Sequence, residues 1–76
     1  MSSDILLSLE EVQKYLAKDK KCKAAQKKEV IQTLENISST KGRRWTFVSE
    51  DDKYYIDEYN EYSDFVKTYT FTLWEL

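Results

Sequence analysis

Gly42-Arg43-Arg44-Trp45-Thr46-Phe47-Val48 and Thr68-Tyr69-Thr70-Phe71-Thr72-Leu73-Trp74-Glu75-Leu76 bracket the stretch from which the fold can be read. Residues 42–76 hold both Trp, five of the six Tyr and all three Phe, so the core must be anchored there. Side chains alternate with the period of a strand, which sends successive residues to opposite faces. Trp45 and Phe47 fall on one face and Arg44, Thr46 and Val48 on the other, which predicts a strand over 43–49. Ser49-Glu50-Asp51-Asp52 has the composition of a hairpin turn. A second strand is expected over 53–59, with Tyr54 and Ile56 on one face and Tyr55, Asp57 and Tyr59 on the other. Asn60 to Asp64 would make the next turn. The last strand, 66–75, points Tyr69, Phe71 and Leu73 inward and Thr68, Thr70, Thr72 and Trp74 outward. A competing reading places a short third helix near 57–66, because Tyr59, Tyr62 and Phe65 or Val66 also recur at helical spacing.

Upstream of Gly42 the period changes. Ile5, Leu9, Val12 and Leu16 form one stripe at helical spacing, which predicts a first helix over about 4–18. Two starts are open: Ser8, with Glu11 completing a capping box, or Ser3, which brings Leu6 and Leu7 into the helix. Asp19 then reads as the cap of a second helix over 21–37, with Ala24, Val30, Ile31, Leu34 and Ile37 available to the core. Ser38-Ser39-Thr40-Lys41-Gly42 is a turn in which Gly42 takes positive φ without steric cost. The expected architecture is α+β: two N-terminal helices on a three-stranded antiparallel meander, in one domain spanning 1–76.

Seventy-six residues, 41% apolar and 34% charged, suit one small globular domain. A core of that size buries only roughly 60% of the unfolded chain's surface, so association with a partner or with a second copy would help it. No apolar run approaches about 18 residues, and Met1-Ser2-Ser3-Asp4 lacks the basic start of a secretion signal. The single cysteine, Cys22, cannot form an internal disulfide, which favours a reducing compartment. A cytoplasmic, membrane-free protein is expected. The Lys-, Glu-, Tyr- and Ile-rich usage is that of an AT-rich genome and points to a phage or other mobile element acting in an infected host cell.

The net charge of −2 conceals two unlike halves. Residues 1–45 carry eight Lys and two Arg against six acids, a net of +4, and residues 46–76 carry two Lys against eight acids, a net of −6. Lys20, Lys21, Lys23, Lys27 and Lys28 crowd the start of the second helix, where the helix dipole disfavours cations. That misfit calls for acidic neighbours or an anionic partner.

No constellation supports an enzyme. The chain has no His, which removes Ser-His-Asp and Cys-His catalysis and the commonest general base. One cysteine cannot build a tetrahedral zinc site. Asp51-Asp52-Lys53 contains the Asp-x-Lys step of one class of Mg²⁺-dependent nuclease, but the earlier acids, Asp4 and Asp19, lie in predicted helices. The acidic run also lacks the glycine and terminal glutamate of an EF-hand loop. Neither a cofactor nor a metal is expected.

Two binding chemistries remain. Lys20, Lys21, Lys23, Lys27, Lys28, Arg43 and Arg44 could contact phosphates while exposed aromatics stack on bases. Leu7-Ser8-Leu9-Glu10-Glu11-Val12 with Tyr15-Leu16, and Gly42-Arg43-Arg44-Trp45-Thr46-Phe47 followed by Asp52, resemble the opening helix and the wing of the excisionase-type winged-helix family. The resemblance covers about 20 residues and implies DNA binding. The second helix lacks the family's recognition pattern, the wing has no Pro-Gly turn, and the segment C-terminal to it is acidic and strand-like.

The other chemistry is protein recognition. Glu50, Asp51, Asp52, Tyr54, Tyr55, Asp57, Glu58, Tyr59, Glu61, Tyr62 and Asp64 fall within fifteen residues. Carboxylates complement a basic surface, and Tyr supplies rigid amphipathic contact area. The leading expectation is therefore a non-catalytic interaction module or inhibitor whose acidic Tyr-rich hairpin occupies a basic, nucleic-acid-binding surface of a partner protein. A DNA- or RNA-binding protein is the alternative, and a structural subunit of an oligomer is the third. Thr68 to Leu76 has no charge before Glu75 and no Pro, so at a sheet edge it would invite a second strand, in a homodimer or from a partner.

Overall fold

Ser8 decides where the first helix begins. In the computed structural model, which describes residues 4–73, Ser8 is an extended N-cap whose Oγ accepts the Glu11 N–H at 3.2 Å. Helix α1 runs Leu9–Lys18. Of the two starts the sequence allowed, this is the later one, and the residues before it form a strand, β1 (Asp4–Leu6). The physical reason is local: as an N-cap, Ser8 satisfies an orphan amide that it could not reach from inside a helix. The predicted helix over 4–18 is corrected accordingly, and Ile5 leaves the helical stripe.

Asp19 closes α1 instead of opening α2. Its N–H bonds back to the carbonyls of Tyr15 and Leu16, and its carboxylate accepts the Lys21 N–H at 3.0 Å. Helix α2 (Ala24–Ser38) is capped by Lys23, whose N–H donates to Gln26 Oε1 at 3.4 Å. Lys20 and Lys21 therefore precede the helix, and Lys21 Nζ meets Asp52 Oδ1 at 2.6 Å. Part of the expected clash between lysines and the helix dipole is answered by that acidic neighbour.

The sheet holds four antiparallel strands in the order β1-β2-β3-β4, with β2 Arg44–Glu50, β3 Lys53–Tyr59 and β4 Phe65–Thr72. The expected three-stranded meander is present, and β1 adds a fourth strand by pairing Leu6 with Phe47 and Ile5 with Val48. β2 is thus paired on both sides over residues 47–49, while Arg44 to Thr46 pair with β3 alone. No third helix forms over 57–66. Residues 53–59 are strand, and Asn60 organises the turn, its Oδ1 accepting the N–H groups of Tyr62 and Asp64 at 2.8 and 3.0 Å. A register shift at Glu58/Tyr59 brings Phe65 opposite Tyr59 and makes Val66 the extra residue of a bulge. Trp74 and Glu75, which the last predicted strand included, lie outside the described residues.

Both helices cover the same sheet face. Val12 and Leu16 from α1, Val30, Leu34 and Ile37 from α2, and Phe47, Tyr54, Ile56 and Leu73 from the sheet side form one buried cluster with Cys22. Trp45, Tyr69 and Phe71 pack at its margin as expected, whereas Ala24, at the start of α2, is exposed. The shortest dimension of the molecule, 18 Å, leaves room for one helix layer on one sheet. The opposite face of the sheet has no cover among the described residues. No helix among them is long and apolar enough to cross a membrane.

Candidate interaction surface

Strand alternation and the position of the core sort every sheet residue. Phe47, Tyr54 and Ile56 are fully buried beneath the helices. Their neighbours Thr46, Val48, Tyr55, Asp57 and Tyr59 point the other way and are half-buried. Ile5 is 64% exposed and Phe65 60% exposed on the same side. Rings of Tyr59 and Phe65 meet edge to face with centroids 6.2 Å apart. Arg44, Tyr59, Thr46 and Leu7 border a shallow groove of about 390 Å³ at this end, closed by Trp45 and Ser63.

Acidic groups frame the open face. Asp57 stands near its middle, where Thr68 Oγ1 donates to its Oδ1 at 2.7 Å. Glu50 and Asp51 lie at the β2–β3 end, and Asp51 takes φ +54 in the two-residue loop that Asp52 completes. Glu61, Tyr62 and Asp64 lie at the other end, all exposed, with Tyr62 at 77%. Arg44 and Lys53 are the cations on this face.

Of the eleven acidic and Tyr residues singled out in the sequence, eight gather on or around the open face: Glu50, Asp51, Tyr55, Asp57, Tyr59, Glu61, Tyr62 and Asp64. The other three have interior or tip roles. Tyr54 belongs to the core, touching Phe47 with ring centroids 5.1 Å apart, and its hydroxyl donates a hydrogen bond to Asp19. Burial and that bond together hold the Tyr54 phenol far above its ordinary pKa. Glu58 lies on the helix side, accepting Arg43 Nη1 at 3.1 Å and the Tyr69 hydroxyl at 2.9 Å. Asp52 is occupied by Lys21 at the hairpin tip.

The basic residues divide differently. Lys20, Lys23, Lys27 and Lys28 accompany the start of α2, next to the Asp52 tip, whereas Arg43 and Arg44 lie at the opposite end of β2. A seven-residue strand separates the two groups by about 20 Å.

Sequence reasoning missed Ile5, Leu7 and Phe65 as parts of this surface. Ile5 and Leu7 could have been found from the capping signal at Ser8, which frees the apolar residues before it to pair as a strand. No protein-family model, curated protein or solved structure matches this chain.

Proposed function

We propose that this protein is a non-catalytic protein-binding module, and that its partner docks a basic surface on the open face of the sheet. The observation that carries the reading is a sheet covered by helices on one face and bare on the other. The bare face carries Tyr55, Tyr59, Phe65, Ile5 and Val48, with Asp57 among them and Glu50, Asp51, Glu61 and Asp64 at its two ends. Aromatic area supplies affinity and carboxylates supply steering and register. Where the basic surface is a nucleic-acid-binding cleft, the carboxylates would take the place of phosphates and the module would act as an inhibitor, as a mobile element requires of a host-directed protein.

Direct nucleic-acid binding is less well supported, because the lysines of α2 and the arginines of β2 do not form one stripe. Affinity capture from the source cells decides between the readings. Wild type and a Lys27→Glu/Lys28→Glu variant are expected to retain the same basic partner, and an Asp51→Lys/Asp57→Lys/Glu61→Lys/Asp64→Lys variant to lose it with an unchanged circular dichroism spectrum. Undiminished capture by the four-site variant overturns the proposal. A salt-sensitive gel shift with mixed DNA and RNA that disappears in the Lys27→Glu/Lys28→Glu variant would replace it with the nucleic-acid reading.

A further inference from the structure

The outer edge of β4 is unpaired among the described residues, and two hydrogen bonds show which of its backbone groups face outward. Leu73 N–H donates to Asp52 O at 2.8 Å, so Leu73 faces β3, and alternation turns Phe71, Tyr69 and Lys67 the same way. Thr68, Thr70 and Thr72 therefore present their N–H and C=O groups to the free edge. The Thr72 carbonyl agrees with this phase, since it accepts Gln26 Nε2 at 2.7 Å from the outer side. Gln26 closes one end of the edge, and the bulge at Val66 disturbs the other. What remains is a two-residue template, Thr68 and Thr70, with four main-chain groups in phase.

We infer that this template pairs with itself: a second copy of the chain adds its own β4 antiparallel across a twofold axis at Tyr69. Pairing Thr68 with Thr70 of the second copy, and Thr70 with its Thr68, uses all four groups of each chain in reciprocal narrow pairs. Moving the axis to Thr68 or Thr70 would place one of the template residues opposite the bulged Val66 or the capped Thr72. The axis at Tyr69 is the symmetric solution that spends neither.

Side chains fit the same operator. On the open face the strands meet through threonines alone, with no like charges opposed. On the helix face Lys67 of the second copy falls opposite Phe71, at a groove of about 600 Å³ lined by Ala25, Lys28, Glu29, Gln32, Thr33 and Phe71. There its aliphatic stem covers Phe71 and its ammonium group approaches Glu29. Lys67 already lies over an aromatic ring in its own chain, 4.5 Å from the centroid of Tyr69. The contact is isologous and closes on itself, because it consumes the long free edge of each copy. The product is an eight-stranded sheet that presents two open faces side by side, and it does not depend on what those faces bind.

Sedimentation equilibrium of the full chain tests this, with circular dichroism as the control for folding. Wild type is expected to be a dimer in the micromolar to hundred-micromolar range. Thr70→Pro removes one outward amide per chain without touching the β3 ladder, a position where an edge tolerates proline. It is expected to raise the dissociation constant roughly thirtyfold, for two donors lost per dimer. Should that variant fail to fold, a charge pair decides the register. Thr68→Glu/Thr70→Glu opposes like charges and is expected to be monomeric, while Thr68→Lys/Thr70→Glu opposes unlike charges and is expected to dimerise. A wild type that stays monomeric at several hundred micromolar overturns the inference. So does a dimer indifferent to Thr70→Pro, or equal association of the two charge variants.

Discussion

Tyr54 and Cys22 give the fold an alkaline limit. Burial, first, and donation to Asp19, second, hold the Tyr54 phenol far above its ordinary value of 10.0. Burial likewise pushes the Cys22 thiol up from 9.0. Both groups are raised in the folded state, so the unfolded chain gives up their protons first as pH rises. The Cys22 contribution is complete below about pH 9 and that of Tyr54 below about pH 10, and each is lost progressively as the pH rises beyond that value. Urea midpoints measured from pH 7 to 11 should be flat to about pH 9 and then fall. Tyr54→Phe should make that fall shallower, and should cost about 1–2 kcal/mol at neutral pH because Asp19 loses its donor. Partner capture should be unchanged by it. A midpoint indifferent to pH up to 11 would contradict the buried hydrogen bond. Strand alternation already set Tyr54 beside Ile56 and opposite Tyr55. The acidity around it obscured this, because a carboxylate-rich run makes every tyrosine in it look exposed.

The turns carry the next scale, because β2, β3 and β4 each follow a turn with a residue at positive φ, a backbone that most residues avoid. Gly42 sits at φ +82, and a Cβ there would meet Glu61 Cβ at 2.9 Å, so the α2–β2 turn rests directly on the β3–β4 turn. Gly42→Ala is therefore expected to destabilise by about 1–2 kcal/mol, from the left-handed backbone and the contact together. Ser63, at φ +67, is the reverse case: Ser63→Gly should stabilise by about 0.5–1 kcal/mol. Equilibrium urea unfolding of the two variants checks both signs, and a neutral Gly42→Ala would mean that the turns do not touch. At this scale the sequence was largely readable. β2, β3 and β4 were legible because period-two alternation ran through each of them. β1 was not, since an aspartate and two apolar residues beside a helical stripe carry no period of their own. Its place is fixed by a long-range partner, the 47–49 edge of β2. Asp19 misled for a related reason: a cap residue between two helices serves either neighbour, and the tertiary bond to Tyr54 decides which.

At the scale of the whole molecule, a single helix layer leaves one sheet face bare and, among the described residues, the long outer edge of β4 unpaired beside the short edge of β1. The face was half legible. Its acids and Tyr55, Tyr59 and Tyr62 were in the sequence, but the two turns that carry them lie at opposite ends of the strands, which only the fold reveals. The edge could be argued from composition and becomes specific through Gln26 and Val66. In so small a domain, burying that edge should be visible as stability. If the native state is the β4 dimer and the unfolded chain is monomeric, mass action favours the dimer as concentration rises. Above the dissociation constant each tenfold increase contributes about 0.7 kcal/mol per chain, half of the 1.4 kcal/mol that a factor of ten represents. For a domain of this length that corresponds to a rise in Tm of about 3–5 °C per tenfold concentration. Scanning calorimetry over two decades of protein concentration should show that slope for wild type and none for the Thr68→Glu/Thr70→Glu variant. A concentration-independent Tm for wild type would mean that the four-stranded sheet is stable with its edge bare.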